Sequence, residues 1–139
     1  MRISTKGRYA LRIMIDLAEH PGEEWVPLRD IAKRQEISEK YLESIIAVLS
    51  KADYVDAVRG KGGGYRLSRP AGTYSAGSIL RLAEGSLSPV SCLDSDAPCA
   101  RAGQCRTLPL WEGLDRVIDD YLDQYTLADL VKIPPDRQA

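Results

Sequence analysis

This 139-residue chain has one histidine, His20, and no Cys-x-x-Cys pair. No convergent acid–base set stands beside either residue type, so a thiol- or histidine-dependent enzyme is not expected. The longest apolar run, Ile45 to Leu49, falls far short of the roughly 20 residues that span a bilayer. The first residues, Met1-Arg2-Ile3-Ser4-Thr5-Lys6, lack the apolar core of a secretory signal. The expectation is therefore a cytoplasmic protein with no membrane partner. Internal repeats and low-complexity tracts are also missing.

Cysteine is scarce but concentrated. All three cysteines, Cys92, Cys99 and Cys105, fall in one short polar segment. An odd number of thiols in a reducing compartment is poor material for disulfides and suits thiolate ligation of a metal or cluster. Structural zinc prefers four protein ligands, which argues against zinc. The net charge of −1 conceals a division: residues 1–70 hold 13 Lys/Arg and 10 Asp/Glu, while residues 71–139 hold 6 and 10. The front half is thus modestly basic, as a polyanion partner requires.

The spacing predicts a helix over Thr5 to Glu19, capped by Ser4, with Tyr9, Ala10, Ile13, Met14 and Leu17 on one face. His20-Pro21-Gly22 stops it, and His20 reads as a solvated end residue. A second helix is expected from Pro27 to Arg34, with proline in the first helical position. After the break Gln35-Glu36-Ile37, Ser38 caps a third helix running to Lys51, whose apolar positions are Leu42, Ile45, Ile46 and Leu49. Two short helices joined by a tight turn fit a helix-turn-helix. Val55 to Arg59 and Tyr65 to Leu67 then alternate as strands around Gly60-Lys61-Gly62-Gly63-Gly64. A dinucleotide fingerprint would need glycine at Tyr65 and a helix after the loop, and the Walker pattern Gly-Lys-Ser/Thr is absent. A hairpin directly after a helix-turn-helix is a wing.

Beyond Arg69-Pro70-Ala71-Gly72, Ser75 caps a short helix that Gly85 closes. Thr107 opens a long helix with Pro109 in its first turn. At 100° per residue its apolar set, Leu110, Trp111, Leu114, Val117, Ile118, Tyr121, Leu122 and Tyr125, falls within roughly 140°. Glu112, Asp115, Asp119, Asp120 and Asp123 take the other side. Such a stripe fits a dimerisation helix. Thr126 and Asp129 form a capping box for a last short helix, Leu127 to Lys132. Pro134-Pro135 ends the order, and a loose tail is expected after it.

The fold class expected is mainly α with a small β-wing. Residues 1–70 make a winged helix-turn-helix, 71–107 a short helix and cysteine loop, and 108–139 a dimerisation helix with its short follower. The start of a recognition helix reads base edges. Here Ser38, Glu39, Lys40, Tyr41, Glu43 and Ser44 stand near it. Glu43 either accepts from a cytosine amino group or is simply solvated. On the wing, Arg59 and Lys61 flank Gly62 and Gly63, which let the backbone approach a groove wall. Arg2, Lys6 and Arg8 are further candidates for phosphate contacts.

Met1-Arg2-Ile3-Ser4-Thr5-Lys6-Gly7-Arg8-Tyr9-Ala10, Tyr41-Leu42-Glu43, Val58-Arg59-Gly60-Lys61-Gly62-Gly63-Gly64-Tyr65 and the three late cysteines together resemble the Rrf-two family. That family comprises bacterial winged-helix regulators of the IscR, NsrR and CymR kinds, and the resemblance runs over nearly the whole chain. It implies a homodimer whose long helices cross and whose winged heads read a pseudo-palindromic operator in double-stranded DNA. It also implies an iron–sulfur cluster, [2Fe-2S] or [4Fe-4S], on Cys92, Cys99 and Cys105, in a repressor of cluster-assembly or stress genes. It gives Glu43 a part in choosing between operator classes. The fourth ligand departs from the family. IscR-type members have histidine where Leu108 stands, and NsrR-type members have aspartate where Arg8 stands. Asp94, Asp96 and Thr107 remain as nearby oxygen donors. The alternative is a cluster-free regulator of the CymR kind, gated by a partner protein or by thiol oxidation.

Overall fold

The computed structural model describes residues 2–22, 24–94 and 99–135. Asp96 and the tail after Pro135 lie outside the described residues. The order is α1 (Thr5–Glu19), α2 (Leu28–Gln35), α3 (Glu39–Lys51), β1 (Val55–Val58), β2 (Gly64–Leu67), α4 (Ala76–Glu84), α5 (Leu108–Asp123) and α6 (Leu127–Val131). The architecture is mainly helical with a two-stranded antiparallel wing, as the sequence pattern predicts.

Local capping explains where most helices start. Ser4, Ser38 and Ser75 each accept a backbone N–H in the first turn of α1, α3 and α4. Thr126 and Asp129 make the reciprocal capping box of α6. Pro27 differs from expectation by one position. It is extended and sits just outside α2 as its cap residue, where its missing N–H is harmless.

Helix α1 is the hub. Its Ala10, Ile13, Met14 and Leu17 meet Ile31 of α2, Leu42, Ile45, Ile46 and Leu49 of α3, Ile79 of α4 and Leu127 of α6 in one buried core. Burying side chains of this size contributes about 1.5–3 kcal/mol each, so α3 is held chiefly by its core face. Tyr74 is buried in the same core, and its hydroxyl donates to the Tyr54 carbonyl at 2.7 Å and accepts from the Arg69 N–H at 3.1 Å. That pair of bonds fixes where the chain leaves the wing.

One buried charge joins α1 to the end of α2. Asp16 is 1% exposed and accepts from Arg34 at 2.7 and 3.0 Å and from the Gln35 amide at 2.8 Å. The carboxylate in turn raises the Arg34 pKa, chiefly through the hydrogen bond and against some desolvation. The turn that follows is tight. Glu36 adopts the left-handed conformation at φ 55°, and the buried Ile37 donates its N–H to the Ala32 carbonyl at 3.1 Å.

The wing pairs Val55 with Leu67 and Val58 with Gly64. Tyr65 also exchanges both backbone hydrogen bonds with Val26, at 2.8 and 2.9 Å, so the loop before α2 anchors the wing. A side chain at Gly64 would place its Cβ 2.3 Å from the Val26 carbonyl oxygen, so this contact requires glycine.

Helix α5 attaches to α4 through polar groups. Arg81 donates to Asp119 at 3.1 Å and to Asp123 at 2.7 Å, and Ser75 donates to Asp123 at 2.9 Å. The acidic side of α5 therefore partly faces its own chain, which the sequence pattern alone does not show. Gly77 lets the Asp123 carboxylate come close, since a Cβ there would lie 2.2 Å from it. Partial burial opposes the Asp123 charge, but Arg81 and Ser75 prevail and hold its pKa below the carboxylate norm. The stability this adds is present above the unfolded-state pKa and is lost as pH falls through the lower folded value.

Asp16→Asn should destabilise the protein by about 1.5–2 kcal/mol, the lower part of the range for bonds to charged groups, because Arg34 remains partly hydrated. Urea unfolding at neutral pH measures this, and an unchanged midpoint would show that the α1–α2 joint does not depend on the charge.

Candidate nucleic-acid interface and thiol segment

Helix α3 and the wing face each other across an open groove of about 1400 Å³. One wall carries Glu39, Glu43 and Ala47 of α3, and the other carries Arg59, Lys61, Gly62 and Gly63. Gly60 and Gly62 have φ of 96° and 79°, conformations that glycine adopts without strain. Gly63 donates its N–H to the Gly60 carbonyl at 3.0 Å, and a Cβ on it would lie 2.2 Å from the Val58 oxygen. The glycines therefore shape a tip that presents two cations.

The remaining α3 candidates lie beside the groove and not in its lining. Ser38 is occupied as the cap, accepting the Tyr41 N–H at 3.2 Å, and Ser44 donates to the Tyr41 carbonyl at 2.6 Å. Lys40 is exposed, and with Glu43, Ser44 and Ala47 it spans about 100° of the helix surface. The Tyr41 ring packs edge-on against Tyr9 of α1, with centroids 5.8 Å apart. Arg12 lies 4.9 Å over the other ring of this set, Tyr9, and donates to both oxygens of Gln35. Arg8 donates to Thr5 at 3.1 Å.

Groove residues that the sequence pattern does not mark include Arg29, Trp25 and Lys51. Arg29, in the first turn of α2, lines the groove, as does Trp25, whose ring stacks under the Arg66 guanidinium at 4.1 Å. The only local signal for Arg29 was a basic residue at a helix start, which no periodicity marks as a site.

The thiols are dispersed. Cys92 sits exposed in a short 3-10 turn (Ser91–Leu93), Cys99 is exposed, and Cys105 is half-buried beside α5. Among the described residues, no three of His, Cys, Asp and Glu come together as a metal site. Asp94 is hydrogen-bonded by the Ser86 hydroxyl. Thr107 lies 3.3 Å from Cys105 Sγ, and its hydroxyl donates to the thiolate form. That bond above all, with the backbone N–H groups of Thr107 and Leu108 and a weaker attraction to Arg101, lowers the Cys105 pKa. It also explains why Thr107 makes no side-chain cap on α5.

Residues 3–133 match the model of Rrf2, described as an iron-dependent transcriptional regulator. The chain belongs to the Rrf2 family. This Rrf2 protein is 39% identical to the transcriptional regulator IscR of Vibrio campbellii over 95% of this chain and 78% of the relative. Its fold resembles that of CymR, the global cysteine regulator of B. subtilis, with a TM-score of 0.76 at 40% identity, covering 94% of this chain and 96% of that one. IscR of T. potens is as similar, with a TM-score of 0.75 at 43% identity over 95% and 87% of the two chains. The molecule is thus a DNA-binding transcriptional regulator and not an enzyme, and its likeness to IscR and to CymR is equal. Among the described residues no helix is long and apolar enough to cross a membrane.

Thr107→Val should raise the Cys105 pKa and slow its alkylation by iodoacetamide several-fold near neutral pH, leaving Cys92 and Cys99 as internal controls. Peptide mass spectrometry reads all three rates. An unchanged Cys105 rate would show that the hydroxyl does not stabilise the thiolate.

Proposed function

We propose that this Rrf2-family regulator is a cytoplasmic homodimeric repressor of a pseudo-palindromic operator, responsive to an iron–sulfur cluster held by Cys92, Cys99 and Cys105. The observation that carries the reading is the placement of all three thiols in one surface segment between α4 and α5, with Cys105 poised toward thiolate by Thr107. The donor set fits a cluster, although the described arrangement keeps the donors apart. A bound cluster, [2Fe-2S] or [4Fe-4S], would supply reactivity toward oxygen or nitric oxide.

The chain's own residues define the rest. In the proposed division, residues 1–70 read double-stranded DNA, 71–107 carry the signal and 108–139 dimerise. Ser38, Lys40, Tyr41, Glu43 and Ser44 would meet the major groove and its phosphates. Arg59 and Lys61, with Gly62 and Gly63, would enter the minor groove. Glu43 would repel phosphate unless it meets a cytosine amino group, so it discriminates among operators. Bringing Cys92, Cys99 and Cys105 together would move the chain that leads into α5, which begins three residues after Cys105. Their state therefore biases how the two winged heads are held.

A second reading, a cluster-free regulator gated by thiol oxidation or a partner protein, is favoured by Leu108 in the expected histidine position and by the dispersed thiols. Protein purified without oxygen should contain iron and acid-labile sulfide and show visible absorbance, all lost in Cys92→Ala, Cys99→Ala and Cys105→Ala. Wild-type protein free of iron and sulfide after anoxic reconstitution would decide for the second reading.

A further inference from the structure

Arg29 is the one groove cation placed where its own helix disfavours a positive charge. Four cationic side chains line the groove: Arg29, Lys51, Arg59 and Lys61. Lys51 is in the last turn of α3, where the helix dipole favours a positive charge. Arg59 and Lys61 stand on a glycine-built tip. Arg29 is in the first turn of α2, where the same dipole disfavours a cation. It is exposed, and it takes part in none of the ion pairs found among the described residues. The carboxylates of the groove lining, Glu24, Glu39 and Glu43, are not among its salt-bridge partners.

An anionic ligand supplies what the fold does not. In a helix-turn-helix the first helix crosses the nucleic-acid backbone while the second enters the major groove. Helix α2 holds that first position here. The Asp16 bonds to Arg34 and Gln35 fix its far end, and the Val26–Tyr65 bridge fixes the loop before it. Its first turn is thus held rigidly at the rim between α3 and the wing. We propose that Arg29 is a DNA phosphate contact, a third anchoring point on an element separate from the recognition helix and the wing. It would set register and affinity without reading bases. The inference rests on the groove being the DNA interface.

The test needs no operator, because phosphate contacts act on any sequence. A fluorescently labelled duplex of random sequence is titrated with the full-length dimer from about 50 to about 200 mM salt. Arg29→Ala should lower the slope of log affinity against log salt by about 0.9 and weaken binding about 3- to 10-fold, with Arg29→Lys restoring most of the slope. Its melting temperature should be unchanged or slightly higher, since an unfavourable charge has left the start of α2. Arg59→Ala serves as the groove control. If Arg59→Ala lowers the slope and Arg29→Ala does not, the Arg29 assignment is wrong while the interface stands. If neither does, the interface itself is wrong. A lower melting temperature with an unchanged slope would assign Arg29 to balancing Glu39 and Glu43, and would also overturn the proposal.

Discussion

Helix α5 cannot bury its own apolar sector. It is 16 residues long and contains no fully buried residue. Trp111, Ile118 and Leu122 are half-buried on the side toward α4, while Leu110, Val117 and Tyr121 are 61%, 64% and 55% exposed. With Leu114 and Tyr125 these form a contiguous stripe, and Tyr121 and Tyr125 already pack edge-to-face at 5.5 Å. The Arg81–Asp119–Asp123 set fixes which side of α5 faces its own chain and therefore which side is left for a partner. Leaving so much aliphatic and aromatic surface in water is unfavourable, and a second copy of the same helix is the cover that the proposed homodimer provides.

The winged head is built the opposite way. Most of its apolar residues pack into the core around α1, with Tyr41 and Val58 left exposed, so its outer face is largely free to carry polar chemistry. The groove is electrically mixed: carboxylates on α3 oppose cations on the wing and on α2. A uniformly basic groove would grip any duplex. In the proposed reading, carboxylates among the cations would weaken that general attraction and make affinity depend on where base amino groups are found. This also accounts for a regulator with net charge −1, since the acidic excess lies in residues 71–139, away from the groove.

The parts legible in the sequence were those with local causes. Ser4, Ser38, Ser75 and the Thr126–Asp129 pair cap within one turn, so a short window contains all the physics. The glycines of residues 60–64 announced the wing for the same reason. What could not be read depends on pairs far apart in the chain. Asp16 looks like any helix acid until Arg34 and Gln35 are placed against it. Glu84 at the end of α4 accepts from both the N–H and the hydroxyl of Ser4, and Gly7 leaves the room for it. Asp119 and Asp123 belonged to the polar side of α5 by periodicity, yet they face Arg81. The 140° apolar sector was correctly seen, but its division between α4 and the open side required the tertiary arrangement. The positions that Cys92, Cys99 and Cys105 take relative to one another could not be read, because irregular loops carry no period.

Equilibrium sedimentation tests the central claim, that the open stripe of α5 joins two copies. Two copies joined through α5 should sediment at twice the 15.4 kDa chain mass at micromolar concentration. The double substitution Leu114→Asp with Val117→Asp should give the single-chain mass while keeping the helical circular dichroism of a folded winged head. Wild-type protein sedimenting as one chain, or a folded double variant that still sediments as two, would contradict it.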